Sequence, residues 1–203
     1  MRVLVGCEFS GRVRDAFRAR GHNAWSCDLL PSEQPSPYHI QNDLFTVLKW
    51  SAPYRKPLNP STDEYFYRAW DLLLFFWPCT NMAVSGARWF HLKQEQQAAD
   101  IEAFRRLAEW PGIPRTAGEN PIGVLSTQYR KPDQIIQPWQ FGHGEVKATC
   151  LWLRNLPFTP VYKDRTGTTG PGPSRSPVAG SLENRSRTLP GIADAMATQW
   201  GSL

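Results

Sequence analysis

Apolar residues first gather at Arg2–Gly6, RVLVG, a β-branched run ending in glycine that predicts a buried strand. Val13, Ala16 and Phe17 then recur at helical spacing, with Ser10 placed to cap that helix and Gly21 to end it. Asn23–Cys27, NAWSC, reads as a second short strand and delivers Asp28. Strand, loop, helix and strand within 28 residues are the opening of a parallel α/β sheet.

Pro31, Pro35, Pro37, Pro53, Pro57 and Pro60 interrupt residues 31–62, which are predicted to be mostly loop with one short element at Asp43–Trp50. Asp71–Trp77, DLLLFFW, is the most apolar run. It lacks polar alternation, so it predicts a central strand covered on both faces and ending in Pro78-Cys79-Thr80. In the helix that follows, Ala98, Ile101, Phe104 and Leu107 form an apolar stripe, with Lys93, Glu95, Asp100 and Arg106 off it. Thr116–Asn120, TAGEN, reads as a further strand terminated by Pro121. Gln134–Trp139 and Glu145–Leu153 predict an antiparallel pair around Gly142–Gly144. Residues 164–187 carry almost no large apolar side chain and predict a long loop, whereas Ile192, Ala195, Met196 and Trp200 share one face of a C-terminal helix. No internal repeat is evident.

The 203 residues, 41% hydrophobic and 20% charged, suit one domain with a real core. Within residues 1–203 the expected division is a cofactor and catalytic core over 1–146, a basic loop-rich region over 147–188, and a helix over 189–203 that packs back on the core. The net charge of +5 is uneven: residues 147–203 hold 7 Lys/Arg against 3 Asp/Glu. A basic, glycine-rich end suits a polyanion-facing surface, or equally a solvated tail. No run approaches the length of a membrane span, and the N-terminus lacks the cleavage site of a secretory signal. Cys7, Cys27, Cys79 and Cys150 are dispersed with no Cys-x-x-Cys pair, which points away from zinc ribbons, redox dithiols and bound metal. The expectation is a reduced, cytoplasmic protein.

In open α/β sheets ligands bind at the carboxyl ends of strands. Four such ends stand out: Glu8-Phe9-Ser10-Gly11, Asp28, Pro78-Cys79 and Glu119-Asn120. Gly11 lets a ligand approach the backbone just before a helix, and Asp28, 17 residues on, suits ribose hydroxyls. Gly-x-Gly-x-x-Gly is absent, which disfavours a dinucleotide with its pyrophosphate; S-adenosylmethionine needs no phosphate cradle. Asp43 is a third acid in reach of an adenine. The plainer reading is a strand–helix turn with Asp28 as a cap. Cys79, behind the stiffening Pro78, sits where a substrate can reach it, and Glu119 ends a neighbouring strand. A thiolate that attacks and an acid that protonates suit addition to an electron-poor ring. The plainer alternative is a packed thiol and a surface acid.

The ordered set GCEFSGRVRDAFRARGHNAWSCDLLPS, NDLF, PCT, GEN and RTLPGIADAMATQW resembles the DNA cytosine carbon-5 methyltransferases, in particular their compact phage- or prophage-encoded branch. The resemblance implies a Rossmann-like S-adenosylmethionine-dependent methyltransferase fold: mostly parallel α/β, with a small antiparallel and loop-rich C-terminal part. It implies that Glu8, Phe9, Ser10, Gly11, Asp28, Leu29, Asp43, Leu44, Pro78 and Ala193 surround S-adenosylmethionine. Cys79 adds to cytosine carbon-6, and Glu119 bonds ring nitrogen 3, on a base flipped from DNA. Asn120, Lys147 and Thr149 are the implied substrate contacts, and Ser85, Arg88, Arg185 and Arg187, in the loop after the cysteine and the basic stretch, are the candidate DNA contacts. Lys147 and Thr149 are placed where larger relatives carry Gln-x-Arg-x-Arg.

The chain departs from the family pattern at Trp77, where relatives often have proline, and at Pro121 after Glu-Asn. It also lacks a separate target-recognition domain, which implies a short recognition site, low specificity or a protein partner. Modification of a free deoxycytidine nucleotide, and a non-catalytic DNA-binding or decoy protein on the same fold, are the competing readings. An amino-group methyltransferase fits less well, because WPCT lacks the leading polar residue and the aromatic of that family.

Overall fold

The computed structural model describes residues 1–50, 70–144, 146–159 and 187–203. Among them the strands β1 (Arg2–Gly6), β2 (Asn23–Asp28), β3 (His39–Gln41), β4 (Leu72–Phe75), β5 (Arg115–Pro121), β6 (Gln134–Ile136) and β7 (Thr149–Arg154) form one seven-stranded sheet, in the order β3-β2-β1-β4-β5-β7-β6. Pairings from β3 through β5 are parallel, and β7 runs antiparallel to both β5 and β6. This is the Rossmann-like α/β fold expected from the sequence, including the antiparallel C-terminal part.

β1 and β4 are central because their side chains are apolar on both faces. Val3, Val5, Leu72 and Leu74 join one core, which includes Val13 and Phe17 of α1 (Arg12–Arg18) and Ile192, Met196 and Trp200 of α5 (Pro190–Gly201). Leu4, Leu73 and Phe75 join the other, with Val47 and Leu48 of α2 (Leu44–Trp50), Ile101, Phe104 and Leu107 of α3 (Gln94–Ala108) and Leu125 of the short α4 (Leu125–Gln128). Alternation along each strand feeds both layers, so helices cover both faces. α5 lies against α1, and Trp200 donates its indole N–H to the Pro157 carbonyl at 3.0 Å.

Several local expectations change. Gly11, not Ser10, holds the cap position of α1, with φ +77°; the Ser10 hydroxyl donates to Glu8 and accepts the Arg12 N–H at 3.4 Å. The buried face of α3 runs through Gln97, Ile101, Phe104 and Ala108, leaving Ala98 exposed. Gln97 tolerates burial because its amide donates to the Asn81 carbonyl at 2.7 Å. The Gln134–Trp139 strand stops at Ile136, since Pro138 starts a short 3-10 turn, Pro138–Phe141. β3, unforeseen, pairs with β2 through Ser26, Cys27 and Asp28. Glu145, residues 51–62 of the predicted loop, and 164–186 of the predicted basic loop lie outside the described residues.

The strand order turns at β1 and β4: from β1 the chain proceeds to β2 and β3 on one side, and from β4 to β5 on the other. A crevice opens at such a switch point, beyond the carboxyl ends of the strands.

Candidate functional site

On the β4–β5 side, Phe76 still donates its N–H to the Gly6 carbonyl at 3.0 Å, and the chain then leaves the sheet through Trp77 and Pro78. Cys79 follows with an exposed side chain. Its carbonyl accepts the N–H groups of Met82 and Ala83, both at 2.9 Å, which closes a tight turn around it. Downstream, Ala83 pairs with Gly123 as an antiparallel bridge. Val84 donates to the Ile122 carbonyl and Val124 to the Met82 carbonyl, each at 3.0 Å. A Cβ on residue 123 would lie 2.0 Å from the Met82 oxygen, so only glycine admits this approach. Asn120, buried at the end of β5, donates its amide to the Trp77 carbonyl at 2.8 Å. The loop carrying Cys79 and the loop leaving Glu119 are thus one hydrogen-bonded unit.

Glu119 is half-buried. Loss of solvent holds its carboxyl above the usual carboxylate range, opposed by the Lys147 charge and a hydrogen bond from the Thr149 hydroxyl. Those two residues arrive because β7 pairs with β5 in a register that sets Thr149 opposite Pro121 and Cys150 opposite Asn120. Cys150 is buried, and burial with the Glu119 charge pushes its thiol up to about 11. It is a core residue, unlike Cys79.

On the β1–β2 side, Glu8 is 4% exposed. One of its oxygens accepts the Ser10 hydroxyl and the Arg12 N–H (3.0 Å), while Oε2 has no hydrogen-bond partner. Burial pushes the carboxyl up to about 7, against the Ser10 and Arg12 bonds and the Arg14 charge. Cys7 follows β1 with φ +55°, and its thiol is raised by burial and then by Asp28, Cys27 and Asp43. Cys27 is pushed up to about 12 by burial and by the same two aspartates. Asp28 and Asp43 therefore converge on the ends of β1 and β2. Asp28 accepts the Leu30 N–H at 2.9 Å, and Leu29 beside it is 71% exposed.

Asp43 caps α2, accepting the Thr46 N–H at 2.9 Å and its hydroxyl at 3.0 Å. Leu44 and Ala193 stand elsewhere, in the core. Leu44 is 4% exposed beneath Gly6, and Ala193 is 2% exposed on α5. Phe9 is half-buried, and Pro78 is exposed beside Cys79.

Ser85 and Arg88 lie exposed on the 3-10 segment Val84–Leu92 that follows the cysteine turn, with the Arg88 guanidinium 5.0 Å from the Trp89 ring. Arg187 is not on that side. It pairs with Glu33 and lies 5.9 Å from the Phe9 ring, on the β1–β2 side, because Thr188 is anchored there by Arg12 (3.1 Å to its carbonyl). Arg185 lies outside the described residues.

Sequence reasoning missed three features. Gly123 is a glycine whose need appears only when two loops meet. Arg14, 1% exposed, donates to Ser26 (2.9 Å) and Ser32 (3.3 Å) beneath the Glu8 loop. Asp100, assigned to the polar face of α3, bonds both Trp77 and Asn81; its one-turn spacing from the buried Gln97 was the available signal.

The β1–β2 side offers carboxylates for hydroxyls and cationic groups and an exposed leucine for an aromatic face, a donor set that S-adenosylmethionine would fit. Among the described residues no group of His, Cys, Asp and Glu could hold a metal ion, and no helix is long and apolar enough to cross a membrane.

No protein-family model and no curated protein matches the sequence. Among solved structures, the chain is similar to an E. coli prophage-encoded protein described as a candidate DNA modification methyltransferase, at 12% identity and a TM-score of 0.48, covering 78% of this chain and 49% of that one. It is also similar to the 16S rRNA methylase RmtB, at 15% identity and a TM-score of 0.34, covering 75% of this chain and 55% of that one. The chain thus spans about half the length of either structure.

Proposed function

We propose that the protein transfers a methyl group from S-adenosylmethionine to carbon-5 of cytosine in DNA, with Cys79 as nucleophile and Glu119 as proton partner. One observation carries the reading. An exposed thiol and an acid held above its usual range end neighbouring parallel strands, and their loops are hydrogen-bonded together across the switch point from Glu8 and Asp28.

Glu8, Phe9, Gly11, Asp28, Leu29 and Asp43 would hold S-adenosylmethionine on the β1–β2 side, where it would supply an electrophilic methyl group and leave as S-adenosylhomocysteine. The Cys79 thiolate forms a bond to carbon-6 of the ring. The electron pair displaced from the carbon-5–carbon-6 double bond makes carbon-5 nucleophilic, while Glu119 gives its proton to nitrogen 3. An acid whose carboxyl is held above its usual range by desolvation suits that role. After carbon-5 has gained the methyl group, its proton passes to a solvent base. The carbon–sulfur bond then breaks and returns the thiolate, and nitrogen 3 returns its proton to Glu119. Lys147 and Thr149, which face Glu119, bear on its charge and orientation. Ser85 and Arg88 are assigned to the DNA backbone, as is Arg185 of the basic stretch. Arg187, paired with Glu33, is assigned to the cofactor side instead.

The test is incubation with methyl-labelled S-adenosylmethionine and unmodified DNA, followed by digestion to nucleosides. Label in 5-methylcytosine is the expected result. Label only in added deoxycytidine nucleotide would move the substrate to the free nucleotide. Cofactor binding with no transfer, and no covalent complex with a 5-fluorocytosine oligonucleotide, would leave a non-catalytic protein.

A further inference from the structure

Cys79 sits in a turn whose two shoulders are tied to the same side chain. Two residues before it, the Trp77 indole N–H donates to Asp100 Oδ1 at 3.1 Å. Two residues after it, the Asn81 amide donates to Asp100 Oδ2 at 2.8 Å. Asp100 itself stands on α3, which is packed into the core through Ile101 and Phe104, so both ties end on a rigid element. Adjoining bonds extend the arrangement: Gln97 to the Asn81 carbonyl at 2.7 Å, and Asn120 to the Trp77 carbonyl at 2.8 Å. The Trp77 ring is further stacked edge-on against Phe45 at 5.9 Å.

We propose that Asp100 is a positioning residue for Cys79, a carboxylate clamp that grips the turn on both sides of the thiol and fixes where the sulfur meets its substrate. The inference rests on the reading of Cys79 as nucleophile. It also accounts for Trp77, because the indole supplies a donor that a proline at that place cannot. A carboxylate suits the clamp because both its oxygens accept, and both shoulders offer donors. An amide at residue 100 still accepts from Trp77 but meets Asn81 only if that amide turns over, and both bonds then lose the carboxylate charge that strengthens them.

The experiment compares the wild type, Asp100→Asn, and the double variant Asp100→Asn with Asn81→Asp. In the double variant the amide at 100 donates to the carboxylate at 81 and still accepts from Trp77, so both ties return. Two readouts are taken: hydrogen exchange at the Met82 and Ala83 amides, which bond the Cys79 carbonyl, and the rate of covalent complex formation with a 5-fluorocytosine oligonucleotide. Asp100→Asn is expected to speed the exchange and to slow complex formation by about tenfold each, with the dissociation constant for S-adenosylmethionine unchanged. The double variant is expected to recover most of both losses. Unchanged exchange in Asp100→Asn overturns the clamp. So does faster exchange throughout the sheet that the double variant fails to reverse, since that is loss of fold. Trp77→Phe, which keeps an aromatic ring and removes the donor, provides a milder check: unchanged exchange there removes Trp77 from the clamp. If the wild type forms no covalent complex, the cysteine mechanism fails, and the exchange data still decide whether Asp100 holds the turn.

Discussion

On the β1–β2 side of the crevice the loop is held by buried ionisable side chains: Glu8 against Ser10 and the Arg12 N–H, with Arg14 beneath it bonded to Ser26 and Ser32. On the β4–β5 side the two loops meet backbone to backbone, through the Ala83–Gly123 bridge and the Val84 and Val124 N–H bonds, with the Asn120 and Asp100 side chains tied to the cysteine turn beside them. The first arrangement responds to protons, because desolvation sets the charge of Glu8. The second depends on how closely two chains approach. A ligand-holding rim can tolerate adjustment, whereas a nucleophile must stand within a few tenths of an ångström of its place.

Four measurements probe this contrast. Cys79→Ser should abolish label transfer while the equilibrium dissociation constant for S-adenosylmethionine stays at its wild-type value; turnover at the normal rate would remove the thiol from the mechanism. Glu119→Gln should lower the single-turnover rate by roughly 10²–10⁴, the scale of a lost acid–base partner. An unaltered rate would leave Glu119 a structural acid.

The third measurement concerns pH. Glu8 ordinarily titrates near 4.5 and is pushed up to about 7 by burial. Between those values the folded chain keeps a proton that the unfolded chain has released, so stability falls as pH rises across that window. In all the fall is about 3 kcal/mol. Thermal melts from pH 4.5 to 7 should show it, and Glu8→Gln should flatten the curve; equal slopes in the two proteins would show that Glu8 is not the buried acid responsible. The smallest effect is expected for Gly123→Ala, about 1–3 kcal/mol from pressing a methyl group onto the Met82 carbonyl. Its urea midpoint should fall without any change in pH dependence, and an unshifted midpoint would show that the two loops separate at little cost.

Much of the sheet was legible because its strands are short apolar runs bounded by Gly, Pro and Asp. RVLVG, NAWSC and DLLLFFW all became strands, and the expected central one, now Leu72–Phe75, is flanked by β1 and β5. His39–Gln41 was hidden among prolines, and its pairing depends on β2 rather than on its own composition. Cys79, Glu119, Asp28 and Glu8 stood out as polar groups at strand ends. Leu44 and Ala193 were adjacent to informative residues in sequence, yet their side chains turn into the core. Arg187 read as part of a basic stretch and is instead paired with Glu33.

Local pattern was enough for the alternation of strands and helices and for the chemistry-bearing side chains at the strand ends, because those depend on neighbours a few residues away. The tertiary structure alone decided which ends face one another, that Met82 must pass against Gly123, and that Asp100 reaches both shoulders of the cysteine turn. Those contacts join residues 19 to 41 positions apart, and no periodicity carries across a fold.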